Sequence, residues 1–122
     1  MSDGYITGTL RDFGQIAHTD STSVVVVSRT LPNIDGHWYV LGHCTSANDA
    51  GVNAVSGLIS AYIQTNGGTA SKIQESTLTN MGATGYNMYL TTNSLDVRVE
   101  MQAENGVRSV GMIEVFGVEM AI

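Results

Sequence analysis

His37 and His43 come nearest, by type and spacing, to a reactive centre in this chain. They lie six apart in a strand-like segment, so period-two alternation puts both on one face. With Asp35 or Asp49 they would offer nitrogen and oxygen donors to a metal ion. An extended strand, however, separates them by about 20 Å. One ion bridges that only if the chain folds back. Two polar residues near strand ends is the plainer reading, and no metal or other cofactor is expected.

Cys44 is the single cysteine, which rules out an intrachain disulfide. It adjoins His43, so on a strand the two face opposite ways, and a thiol–imidazole pair would have to recruit His18. A small buried hydrophobe is the expectation for Cys44. Ser56 is no nucleophile elbow, because no glycine stands two residues before it. Gly4, Gly8 and Gly14 are too widely spaced for a phosphate loop, and no lysine follows them. Asp96, Glu100, Glu104, Glu114 and Glu119 crowd the last quarter of the chain. Asp96 and Glu100 flank Arg98 on one strand face, which reads as a charge ladder on a solvated surface rather than a glycosidase pair. No catalytic residue is assigned, and the expectation is a protein without enzymatic activity.

Aromatic side chains offer contact chemistry instead. Trp38 and Tyr39 are consecutive, so one points inward and the other outward. Trp38, Tyr39, Tyr62 and Tyr86 are the candidates for contact with a ligand such as a glycan, set against ordinary packing in core and rim.

These residues belong to a chain of 122 residues, the length of one domain spanning 1–122. Folding would reduce a surface of about 18,700 Å² to roughly 6,300 Å², enough burial for a core without staples. Charged residues are 13%, about half the usual share, and mean hydropathy is +0.07. So apolar a surface is expected to be covered in an assembly. The net charge is −6 with five basic residues, which disfavours nucleic acid and anionic membranes as partners. MSDGYITGTL lacks the basic and apolar regions of a signal peptide. No apolar run reaches membrane-span length, so synthesis in a host cytoplasm is expected.

Period-two patterning dominates, with turn residues every eight to twelve positions. Strands are predicted at 5–10, 23–28, 37–42, 58–63 and 86–90, with 71–79 an edge strand or loop and 45–51 a polar loop. The run Ser23–Ser28 is apolar on both faces and reads as a central, doubly covered strand. Val52–Thr65 also fits a helical face, but its β-branched content and Gly57 favour strand. Leu95, Val97, Val99, Met101 and Ala103 alternate with Asp96, Arg98, Glu100 and Gln102. Asn105-Gly106 then predicts a type I′ hairpin, with a bulge at Gly111. Seven to nine antiparallel strands make an all-β, jelly-roll-like sandwich, with an open barrel as the alternative.

The closing segment LDVRVEMQAENGVRSVGMIEVFGVEMAI resembles the last strands of bacteriophage virion β-sandwich proteins: capsid decoration or cement proteins, and trimeric tail-fibre head domains. Those domains often carry a tryptophan near the end, where this chain has Phe116. The resemblance implies a homotrimer located on a virion, in contact with other virion proteins such as a capsid protein. Physical reasoning adds that Phe116, Val118, Met120 and Ile122 share one face and would be an aggregation-prone edge unless buried between subunits. The first functional expectation is capsid decoration, favoured over a fibre by the single-domain length; the alternative is a fibre or tail-tip module that recognises a glycan receptor.

Overall fold

The computed structural model of the chain describes residues 5–48, 55–80 and 85–118. Eight strands run β1 (Tyr5–Ala17), β2 (Ser23–Thr30), β3 (Gly36–Asn48), β4 (Val55–Asn66), β5 (Thr69–Asn80), β6 (Asn87–Asn93), β7 (Asp96–Gln102) and β8 (Val107–Val118). A five-stranded sheet, β1-β8-β3-β4-β5, packs on a three-stranded sheet, β2-β7-β6. Every pairing is antiparallel. The nested pairs β1/β8 and β2/β7 are those of a jelly roll, whereas β3-β4-β5 is a meander confined to the larger sheet. Val52–Ala54 lie outside the described residues, and the rest of the ambiguous 52–65 segment is strand.

The core is the interleaved inward face of each strand. On β7, Val97, Val99, Met101 and the following Ala103 are fully buried, and on β8 Ile113 and Val115 oppose them. Burying a side chain of this size contributes about 1.5–3 kcal/mol. Glycine sets how closely the sheets approach. A Cβ on Gly14 would stand 2.1 Å from the Val26 carbonyl oxygen, so that residue can carry no side chain where β1 meets β2. Beside it, Asp12 Oδ2 pairs with Arg29 Nη1 at 3.1 Å. The opposite side is closed by Lys72, whose Nζ donates to the Leu90 carbonyl at 2.9 Å and pairs with Glu75 at 2.6 Å.

Several sequence expectations change. Ser23–Ser28 forms an edge strand, not a central one. A register shift between Val25 and Val27 turns both Val26 and Val27 inward, so a bulge produces the continuous apolar run. Asn105-Gly106 joins strands of different sheets rather than a hairpin. Gly106 has φ 86°, but Asn105 is not in the positive region, so the turn is not type I′. Val107 N–H donates to Glu104 O at 3.2 Å, and Gly106 N–H donates to His18 O at 2.9 Å, which docks the turn on the end of β1. The type I′ geometry belongs to Gly67-Gly68, both with positive φ, between β4 and β5. Gly111 is in regular register with both neighbours, without a bulge. Residues 45–48, expected in a loop, continue β3, and β1 extends seven residues beyond Leu10. Segment 71–79 is an edge strand, exposed over 71–78 because it lies at the margin of the sandwich, where the smaller sheet meets it through Lys72.

Candidate functional site

The outward face of the larger sheet carries the largest grouping of uncovered aromatic and apolar side chains among the described residues. Strand register arranges them in rows across the sheet. One row reads Phe116, Tyr39, Tyr62 and Gln74; the next reads Arg11, Glu114, Leu41, Ser60 and Ser76; a third reads Phe13, Met112, His43, Leu58 and Leu78. The first and third rows lie four residues apart, about 13 Å along the strands.

In the aromatic row, Tyr39 is 50% exposed, Tyr62 39% and Phe116 38%. The Tyr39 and Phe116 rings lie 6.1 Å apart, tilted by 35°, a favourable aromatic pairing. Tyr62 Oη is hydrogen-bonded to His37 Nδ1, and their rings lie 5.5 Å apart. Two shallow depressions adjoin here. One is lined by His37, Trp38, Tyr39, Tyr62 and Phe116; the other shares the two tyrosines and adds Ser60, Ala61, Gln74, Glu75 and Ser76.

The middle row is polar. Glu114 Oε2 accepts from Arg11 Nε at 3.2 Å, and Glu114 Oε1 lies 3.3 Å from His43 Nε2. His37 and His43 thus share a face, as their spacing predicts, but each has its own partner. No group of three metal-ligating side chains forms among the described residues, and Asp49 lies outside them.

The other aromatics expected to contact ligand turn inward. Trp38 is 1% exposed, and its Nε1 donates to Thr65 Oγ1 at 2.8 Å. Tyr86 is 4% exposed; burial raises its phenol pKa, and the Glu104 carboxylate adds to that. Of the four aromatics, Tyr39 and Tyr62 present their rings to solvent. Of the residues expected at a subunit interface, Phe116 belongs to the aromatic row. Met120, Ile122 and the side chain of Val118 lie outside the described residues.

A buried polar chain went unseen in the sequence. His18 Nε2 lies 2.7 Å from Ser109 Oγ, which lies 2.6 Å from Ser46 Oγ, with Cys44 Sγ 3.9 Å beyond. All four residues are at most 4% exposed. Burial pushes the Cys44 thiol up, against weaker lowering by Ser46 and Ser109. It also pushes the His18 imidazole down, against Asp20. A thiol held protonated and closed to solvent is not a nucleophile. The sequence offered His18 as the histidine left for Cys44, but no spacing signal places Ser109 and Ser46 between them, because the four come from β3, β8 and the end of β1.

On β7, Arg98 lies 3.7 Å from Asp96, and Glu100 accepts from Thr91. This is the charge ladder expected of a solvated strand.

No protein-family model matches the chain, and no curated protein matches it. Among solved structures, its fold is similar to that of the tailspike protein of Acinetobacter phage vB_ApiP_P1, with 17% identity and a TM-score of 0.48 over 98% of this chain and 24% of that one. It is also similar to the tailspike protein of Acinetobacter baumannii phage AM24, with 8% identity and a TM-score of 0.44 over 93% of this chain and 27% of that one. The chain spans about a quarter of the length of these proteins.

Proposed function

We propose that this chain is a non-enzymatic structural module of a bacteriophage particle, assembling with copies of itself through the outer face of its larger sheet. The observation that carries the reading is the row Phe13, Met112, His43, Leu58 and Leu78, apolar apart from His43, with Val110 beside it. Phe13 is 71% exposed, Leu78 72% and Val110 54%. Five strands and the lower six residues of the face span roughly 24 by 20 Å. That is about 480 Å² in plan, more with side-chain relief, and it approaches the ~600 Å² per partner at which specific interfaces begin.

Charge points to a second copy as the occupant. Arg11, Arg108, Glu75 and Glu114 are the charged residues on this face among the described positions, a net 0 (two positive, two negative), whereas the chain carries −6. Copies therefore meet here without the repulsion their other surfaces impose. The phage setting comes from the resemblance of the closing strands to virion sandwich domains. A homotrimer is the arrangement this reading expects, whether on a capsid surface or in a tail fibre.

Light scattering coupled to size-exclusion chromatography tests the contact. The wild type should run at a multiple of 12.9 kDa, and Phe13→Ser with Leu78→Ser should return it to that mass. A wild type that stays monomeric at tens of micromolar removes the assembly reading.

A further inference from the structure

We infer that association through the outer face of the larger sheet is gated by proton uptake at His43: copies hold one another while its imidazole is neutral and part as it becomes charged. The inference rests on the assembly reading above and names what regulates that contact.

His43 stands in the middle of the row that carries the contact. It pairs with Met112 on one side and Leu58 on the other, and Phe13 and Leu78 lie one strand further out. Each of those two exposed side chains is thus about 10 Å from it, so a copy that covers both must also cover the imidazole. His43, Leu58 and Leu78 wall a common depression. Among the residues of the row, His43 alone can change its charge.

Its surroundings hold too little negative charge for a buried imidazolium. From β8, Glu114 Oε1 lies 3.3 Å from His43 Nε2. The other oxygen of that carboxylate already accepts from Arg11 Nε on β1. On β4 and β5 the residues alongside are Ser56, Leu58, Ser60 and Leu78, none of which ionises. Glu75 of β5 is paired with Lys72. A protonated His43 and Arg11 would therefore share one carboxylate, leaving a net positive cluster. Water tolerates that cluster while the His43 side chain is 40% exposed. Between two copies the water is gone, and an uncompensated charge costs far more. The charges of the face also balance while His43 is neutral, so a proton on each copy sets like charge against like. Both effects have one sign. The assembled form binds fewer protons than the free copies, and association weakens as pH falls.

The test is sedimentation velocity on the full chain at about pH 7.5 and about pH 5.5, a span in which imidazoles ordinarily change charge. Wild type should assemble at the upper value, with an association constant at least about tenfold lower at the lower one, and its circular dichroism should be the same at both. His43→Gln cannot take up a proton and should show no such step. His43→Lys, charged at both values, should associate weakly at both. His18→Gln and His37→Gln, which remove the other two histidines, should each keep the step. Equal association of the wild type at both values overturns the gate while leaving the contact between copies standing. A step that survives in His43→Gln, or vanishes in His18→Gln or His37→Gln, overturns it too. So does loss of the strand signal at the lower value, since dissociation would then follow from unfolding. A wild type that is monomeric at both values removes the contact itself, and the gate with it.

Discussion

The six-membered ring of Trp38 occupies the space a side chain on Gly117 would take. The two are register partners on β3 and β8, and a Cβ on Gly117 would lie 2.3 Å from Trp38 Cζ3 and 2.6 Å from Cε3. The indole is fixed at its other end by Thr65, whose Oγ1 also donates to the Ile34 carbonyl at 2.6 Å. It cannot swing aside without losing that bond. Gly117→Ala should therefore cost about 1–3 kcal/mol, the usual range for overpacking, read from urea denaturation. Trp38→Phe removes the obstructing ring. In a double-mutant cycle the pair should be less destabilised than the sum of the single changes. Strict additivity would show that the contact does not constrain the core.

At Gly14 the obstacle is backbone rather than side chain, so relaxation is harder. Gly14→Ala should be the more damaging substitution, at or above ~3 kcal/mol. Thermal melting of the two alanine variants side by side checks the order. The reverse ranking would mean that β2 can move away from β1.

Acid should weaken the end of the sandwich around His18. Burial holds this imidazole below its ordinary value, so the folded protein binds the proton less readily than the unfolded chain. The associated stability is complete above about pH 6.5. It declines as pH falls from there towards the folded-state value and then stops declining. Asp20 is shifted down, mainly by the Thr22 hydroxyl; its contribution is lost only below the ordinary carboxylate range of about pH 4. His18→Gln should flatten the slope between about pH 7 and pH 5. An unchanged slope would assign the effect elsewhere.

Lys72 bonds a backbone carbonyl on the edge strand of the smaller sheet, so Lys72→Met should cost about 1–2 kcal/mol by leaving Leu90 C=O without its donor. Hydrogen exchange should rise first in β6, while β7, which is paired on both sides, stays protected. Uniform loss of protection would count against a local role for this bond.

Architecture was legible wherever one face of a strand is buried and the other wet. Val97 to Ala103 show this, and so do Trp38 and Tyr39, which split inward and outward as consecutive strand residues must. What misled was chemistry that two tertiary settings satisfy equally. Asn105-Gly106 meets the needs of a hairpin, yet here it crosses between sheets because its N–H groups find partners at His18 and Glu104. The valine run of β2 looked doubly covered, because a bulge makes consecutive residues face the same way. The site was half readable. Tyr39 and Tyr62 were singled out in the sequence and lie exposed, but Phe13 and Leu78 were not singled out, because an exposed apolar residue leaves no mark in a strand pattern that alternates either way. Tyr86 misled in the opposite sense, being tyrosine by type yet enclosed like a core residue.

The chain's one lysine sits at the seam between the sheets. Amine-directed reagents such as succinimidyl esters, which also attack a free N-terminal amine, have this ammonium as their single side-chain target. The nitrogen is engaged by a carbonyl and a carboxylate, and acylation there would remove its charge and with it the ion pair to Glu75. Because the side chain is reachable from solvent, coupling chemistry that is harmless on lysine-rich proteins would here loosen the fold it was meant to tag.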